Sequence, residues 1–260
     1  MPNKSLEKLS KEIRKEIFNM ITSKGRGHYG GSLSCVEIIL SLYFKIMNSE
    51  DKFVLSKAHA GPTLYATLAK KGIIDPSLLK TYGKEGSQLG VHPENHLLPG
   101  IEFSCGSLGH GLSFAIGLAL GLKKKKQIHF VYTLIGDGES QEGSIWEGAL
   151  FAAQHGIENI IAITDYNKKQ SSGYVDNILN LNPLVEKWRS FGWYTIEIDG
   201  HSFDELIHAF EILSKVKDKP KMIIANTVKG KGISFLEKRE VCHSDHFTDD
   251  EIVIAKRELS

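Results

Sequence analysis

Residues 129–135 read HFVYTLI, and this strand-forming run stops at Gly136-Asp137-Gly138. A run of that composition and length fits a strand buried in a sheet. The residue placed at its end is a carboxylate whose two neighbours carry no side chain. Glycine on both sides allows a sharp turn and lets another group come close to the backbone. Further on, the run Ile160-Ile-Ala-Ile-Thr164 ends in Asp165-Tyr166-Asn167. Two strand tips bearing oxygen donors, Asp137 and Asn167, thus stand 30 residues apart in the chain.

Helical and strand patterns alternate through the remainder. Leu6, Leu9, Ile13, Ile17, Met20 and Ile21 recur at helical spacing and predict a helix over 6–22 that ends at Gly25. Further helices are expected over 36–47, over 62–71 with Gly72 as the stop, over 107–123 and over about 144–154. Strands are expected over 52–55, 193–198 and 221–228. Asn182-Pro183 reads as a cap and first-turn proline for a helix to Ser190. Ser202-x-x-Glu205 and Thr248-x-x-Glu251 read as capping boxes. Strands separated by helices imply right-handed crossovers and an α/β fold, a mostly parallel sheet with helices on both faces. With no repeat, no Pro- or Ser-rich linker and no low-complexity tail, one domain over residues 1–260 is expected. Ligands of such sheets bind outside the carboxyl ends of the strands, where two strands joined by one helix can be neighbours.

The totals exclude several kinds of partner. Lys plus Arg (32) nearly cancels Asp plus Glu (31), so no whole-chain field favours nucleic acid or an anionic membrane. Lys123–Lys126 follows an apolar helical stretch and reads as a solvated helix C-terminus. The three cysteines, Cys35, Cys105 and Cys242, are widely spaced and odd in number. That argues against a disulfide framework or a zinc cluster and fits a reducing cytoplasm. The first 18 residues are charged throughout, unlike a signal peptide. The longest apolar stretch, 111–122, is shorter than the ~18 to 20 residues that span a bilayer. A soluble cytoplasmic protein is the expectation.

At the strand tips Asp137 offers a carboxylate, Asn167 an amide oxygen and the irregular stretch 168–171 a main-chain carbonyl. A few protein oxygens, completed by phosphate and water, are how Mg²⁺ is usually held. A helix starting after Gly138 would add N–H groups for a phosphate. Gly-Asp-Gly alone is a common strand-to-helix turn. The asparagine that follows it at the end of the next strand makes a diphosphate bridged to Mg²⁺ the better fit.

Gly-Asp-Gly, 28 intervening residues and Asn form the thiamine-diphosphate signature. The stretches GRGHYGGSLS, VLSKAHAGPTLYA, HPEN with LPGIEF, CGSLGHGLSFAIG and GDGESQEG occur in this order. With them, the chain from about Leu9 to Asp250 closely resembles the amino-terminal, diphosphate-binding domain of transketolases. The resemblance implies thiamine diphosphate and Mg²⁺ (or Ca²⁺ or Mn²⁺) as cofactors. It assigns Asp137 and Asn167 to the metal through side-chain oxygens and Lys169 through its main-chain carbonyl. Gly138 would bring its N–H to the diphosphate. Gly106 would let the backbone approach the aminopyrimidine, and Leu108 would pack against it. Glu142 matches a glutamate in a carboxylate network linking the two cofactor sites of a dimer.

Four histidines also lie in family motifs. His59 and His246 match residues at the diphosphate and reacting centre, and His28 and His92 match residues that bind the donor sugar. Imidazole suits such work because it exchanges protons near neutral pH. His243 competes with His246 for one family position, and register favours His246. Three departures from the commoner family pattern, Tyr29 for proline, His110 for glutamine and Ser171-Ser172 for an apolar–acidic pair, bear on the sugar rather than the cofactor.

Thiamine enzymes of this kind need a pyrimidine-binding domain, which supplies a glutamate for the aminopyrimidine and most groups that hold a phosphorylated sugar. The resemblance places neither that domain nor a carboxy-terminal one within these 260 residues. It therefore implies the amino-terminal subunit of a split transketolase. Such a protein transfers a two-carbon ketol unit in an α2β2 assembly with a separately encoded carboxy-terminal partner. Sugar phosphates or activated sugars would be the substrates, with the donor, the acceptor and the pathway left open. A 2-oxoacid dehydrogenase alpha chain shares the metal signature, but HPEN and SLGHG favour transketolase. A 1-deoxyxylulose-5-phosphate synthase would normally be fused to its second half. A haloacid-dehalogenase phosphatase would need an Asp-x-Asp on an earlier strand. A non-catalytic scaffold would have no use for metal ligands and four histidines.

Overall fold

The computed structural model describes residues 2–260. Five strands, β1 (Lys52–Leu55), β2 (Val131–Gly136), β3 (Ile160–Tyr166), β6 (Tyr194–Asp199) and β7 (Lys221–Asn226), form one sheet in the order β1-β2-β3-β7-β6. Every pairing in it is parallel. Two very short strands, β4 (Lys169–Gln170) and β5 (Gly173–Tyr174), make a separate antiparallel pair just past the tip of β3.

Side chains alternate along a strand, so each strand feeds two layers. Tyr132, Leu134, Ile161, Ile163 and Ile223 enter one core with Leu6, Ile39, Leu64 and Phe210, from helices Asn3–Lys24, Val36–Ser41, Gly61–Lys71 and Phe203–Leu213. Val131, Ile135, Ile160, Ala162, Met222 and Ile224 enter the other with Ile116, Ala149 and Trp188, from helices Gly111–Lys124, Gly143–Gln154 and Leu184–Ser190. Covered on both faces, β2 and β3 are buried at every residue, which is why they read as continuous apolar runs. In the edge strand β6 only Thr195 is buried, and the other five residues are partly or largely exposed.

Helix signals act locally where they are strong. Gly25 (φ 87°) ends the first helix by donating its N–H to the Thr22 carbonyl. Thr248 and Glu251 form the expected reciprocal capping box. At Ser202 only half of it forms. Ser202 Oγ accepts from Glu205 N–H, but the Glu205 carboxylate accepts from Asp199 N–H instead (2.9 Å), tying the helix to the tip of β6.

Other expectations need correction. The helix over 36–47 is two pieces, Val36–Ser41 and a π-type turn Leu42–Ile46. The helix expected from 107 starts at Gly111, because Gly109 (φ 84°) keeps the preceding residues in a loop. Asn182 does not cap the next helix, which begins at Leu184; its Oδ1 accepts from the Tyr166 hydroxyl (3.1 Å). Helix Tyr29–Ser34 was hidden in the sequence by two consecutive glycines, which are poor helix formers. Among the described residues no helix is long and apolar enough to cross a membrane.

Candidate functional site

The register of β2 on β3 pairs Gly136 with Asp165, so the residues that follow each strand, Asp137 and Asn167, emerge side by side. Both are buried, and both line a cavity of about 240 Å³ with Lys57, His59, Leu108, Gly138, Glu142, Lys169, Gln170, Lys229 and His243. Asp137 Oδ1 accepts from Gly138 N–H (2.7 Å) and Oδ2 from Lys168 N–H (2.5 Å). Lys168 takes a left-handed conformation (φ 67°), and this turn brings its amide back to Asp137. The Cβ of any larger residue at 138 would lie 2.9 Å from Gln170 Cβ, so the turn admits only glycine without displacement. The helix expected directly after Gly138 is delayed. A 3-10 turn, Gly138–Gln141, comes first, and the helix begins at Gly143.

Burial pushes the Asp137 carboxyl up to about 7, with Asp165 adding to the effect and Lys229 and the two amides opposing it. Such a carboxylate gains from a cation. Among the described residues no three His, Cys, Asp or Glu side chains cluster as metal ligands. A metal here would draw on Asp137, the Asn167 amide oxygen, the Lys169 carbonyl and oxygens of its ligand, a set suited to Mg²⁺.

Two buried lysines, overlooked by sequence reasoning, divide the charge. Lys57 is 1% exposed; its Nζ donates to the Gly31 carbonyl (2.9 Å) and pairs with Asp165. Asp165 also accepts from Ser34 (2.6 Å) and Thr227 hydroxyls. Burial opposes its ionisation, but Lys57 and these hydroxyls hold the carboxyl below its usual range. Lys57 is thereby committed to Asp165. Lys229 is not: its Nζ donates to the Lys169 carbonyl (2.7 Å) at the cavity, where an anion can take its charge. Lys57 sits in SKAHAG beside His59, so its signal was in plain view; nothing local marks Lys229.

The histidines form a cluster on the same side. Ring centroids lie 5.6 Å apart for His28 and His59, 6.0 Å for His28 and His92, 4.9 Å for His28 and His243, and 4.7 Å for His59 and His243. Burial lowers the pKa of all four: His28 to about 4, also under the charge of neighbouring His92 and Lys229, and His243 to about 3, also under that of Lys229. At neutral pH the rings are uncharged and can accept protons. His28 Nδ1 and His243 Nδ1 are buried without a hydrogen-bond partner, which leaves two ring nitrogens for a ligand. A Cβ at Gly31 would meet His59 Nε2 at 2.7 Å, so glycine there makes room for the ring.

His246 is not brought to this site: it is exposed, outside the cavity and outside the cluster, whereas His243 lines the cavity beside His59. The chain direction there is fixed by a backbone bridge between Gly27 and Asp245 (3.1 and 3.0 Å), which aims the residue two before the bridge inward.

Of the remaining expected residues, Leu108 lines the cavity at 37% exposure and Glu142 stands exposed at its rim. Gly106 is exposed beside His92 rather than in the lining. Glu139, also overlooked, is 2% exposed and binds three motifs together. Its carboxylate accepts from the Ser56 hydroxyl, Gly109 N–H (2.9 Å) and Gly136 N–H (3.0 Å), joining the tips of β1 and β2 to the SLGHG loop.

Residues 6–260 match the family model described as transketolase, thiamine diphosphate binding domain. The chain belongs to the transketolase family. It is 44% identical over 256 residues to the 6-deoxy-6-sulfo-D-fructose transketolase subunit of Clostridium sp. (strain MSTE9), covering 95% of this chain and 93% of that one. It is 41% identical to an apulose-4-phosphate transketolase subunit of Actinobacillus succinogenes, covering 98% and 95%. The crystal structure of Campylobacter jejuni transketolase superposes with a TM-score of 0.93 at 30% identity, over 100% of this chain and 43% of that one. The chain is thus a transketolase-type transferase subunit carrying the thiamine-diphosphate-binding domain, matched along its length by transketolase subunits and to under half of a single-chain transketolase.

Proposed function

We propose that this chain binds thiamine diphosphate through Mg²⁺ and, with a separately encoded carboxy-terminal subunit in an α2β2 assembly, transfers a two-carbon ketol unit from a ketose to an aldose. The observation that carries the reading is the meeting of three features at one cavity: the Asp137–Asn167 strand tips, the ammonium of Lys229 and the neutral histidine cluster. Asp137, Asn167 and the Lys169 carbonyl would hold the metal, with Gly138 N–H and Lys229 on the diphosphate. When bound, thiamine supplies a carbon nucleophile and an electron sink for cleaving the bond beside a ketose carbonyl.

The protein's own groups handle protons and position. His28, His59, His92 and His243 are uncharged at neutral pH, so each can accept a proton from a sugar hydroxyl or hold that hydroxyl by a hydrogen bond. Leu108 would offer apolar surface to the cofactor's ring, and Glu142, which is exposed, would meet a carboxylate network across a subunit contact. The whole of 1–260 would serve as one cofactor-binding unit, with the pyrimidine-binding domain on the partner. The two relatives named above act on a sulfonated and a phosphorylated sugar by name, which supports a donor with an anionic tail. Three free, buried cysteines support a reducing, cytoplasmic setting.

The test is reconstitution. The chain should bind thiamine diphosphate only with a divalent ion and should transfer ketol units only with its partner subunit. Full-rate transfer by the chain alone would refute the split assignment.

A further inference from the structure

Lys169 is buried (8% exposed), and its two ends serve different parts of the fold. Its carbonyl accepts from Lys229 Nζ (2.7 Å) at the cavity. Its own Nζ points elsewhere, donating to the carbonyls of Glu237 (2.7 Å) and Arg239 (2.8 Å), and sits 5.6 Å from the centre of the Tyr174 ring. Glu237 lies in the helix Ser234–Lys238 and Arg239 directly follows it, so the ammonium is held by helix-end carbonyls.

The tie continues. The Arg239 guanidinium donates to Asp245 Oδ2 (2.5 Å) and pairs with Glu251. Asp245 is bridged through its backbone to Gly27, the residue before His28. Between Arg239 and Asp245 lies His243, whose ring meets those of His28 and His59. A continuous set of hydrogen bonds thus runs from the turn after Asn167 to both sides of His243.

We propose that Lys169 is a positioning residue that couples the turn carrying Asn167 to segment 237–245, so that the diphosphate end of the site and the ring of His243 take up their places together. The proposal rests on the thiamine-diphosphate reading of this cavity. Lys169→Met keeps the carbonyl and the apolar stem and removes only the ammonium; Lys169→Arg restores a cation.

Amide hydrogen exchange of the whole chain, read by mass spectrometry, tests it. Without cofactor, Lys169→Met should exchange residues 239–247 at least about tenfold faster than the parent, with β2 and β3 unchanged, and Lys169→Arg should recover most of the protection. Adding thiamine diphosphate and Mg²⁺ should slow exchange at 136–142 and at 239–247 in the parent, but only at 136–142 in Lys169→Met. Unchanged exchange at 239–247 in the Met variant, or acceleration spread through β2 and β3, would overturn the coupling. A parent chain that responds to the cofactor at neither segment would overturn the cofactor reading, while the cofactor-free comparison still judges the Lys169 tie.

Discussion

The ring of His243 lies 4.7 Å from that of His59, whereas His246, three residues further along, faces solvent. His243→Ala should therefore lower ketol transfer in the reconstituted enzyme by the ~10² to 10⁴ typical of a lost acid–base group. His246→Ala should stay within about twofold of the parent, as a surface change. A large loss in His246→Ala with little change in His243→Ala would return the assignment to His246. Steady-state rates with saturating cofactor decide between them.

Asp137 and Asn167 carry the metal reading. Asp137→Asn and Asn167→Ala should each weaken uptake of thiamine diphosphate with Mg²⁺ by at least the ~10- to 100-fold seen even for indirect metal-site changes. Trp146 donates its indole N–H to the Ser140 carbonyl (2.9 Å) within the GDGESQEG turn and should report the uptake by fluorescence. Lys229→Met should weaken binding of thiamine diphosphate but not of thiamine, since the ammonium addresses the diphosphate alone. Equal loss for both ligands would remove Lys229 from that role.

Lys57 and Asp165 are a fully buried ion pair beneath the site. Lys57→Met leaves an uncompensated carboxylate and should cost about 3–5 kcal/mol of stability, measured by urea unfolding. Replacing both partners, as Lys57→Met with Asp165→Leu, should recover much of the loss, because no charge is then left buried unpaired. A single variant as stable as the parent would show that the pair contributes little.

Acid should loosen the fold before the ordinary carboxylates titrate. His28 and His243 have folded-state pKa values of about 4 and about 3 against 6.5 when unfolded. Below pH 6.5 the unfolded chain takes up protons that the folded cluster refuses, so stability falls as pH drops. Asp137, held near 7, works in the opposite sense, and the more numerous histidines outweigh it. Thermal unfolding between pH 7 and 5.5 should show this fall, and His28→Gln with His243→Gln should flatten it. An equal slope in the double variant would exclude these rings as its source.

The strand tips were legible because their cause is local. An apolar run buried on both faces, ended by Gly-Asp-Gly or by Asp-Tyr-Asn, places its oxygen donors at the carboxyl edge of a parallel sheet. The family motifs singled out His59, His28 and His92, whose rings the structure brings together. The parallel sheet, its two-sided burial and most helix limits followed from periodicity and from stops such as Gly25 and Gly72.

Only the tertiary structure put His243 in the cavity and His246 on the surface, committed Lys57 to Asp165 108 residues away, and turned Lys229 toward the Lys169 carbonyl 60 residues away. In a loop, the side on which a residue emerges is set by what the backbone pairs with, here Gly27 with Asp245 from opposite ends of the chain. Composition and spacing carry no record of such a pairing. Likewise, a buried charge is free to meet a ligand only after its closest partner is known, and that depends on which distant segments the two cores bring together.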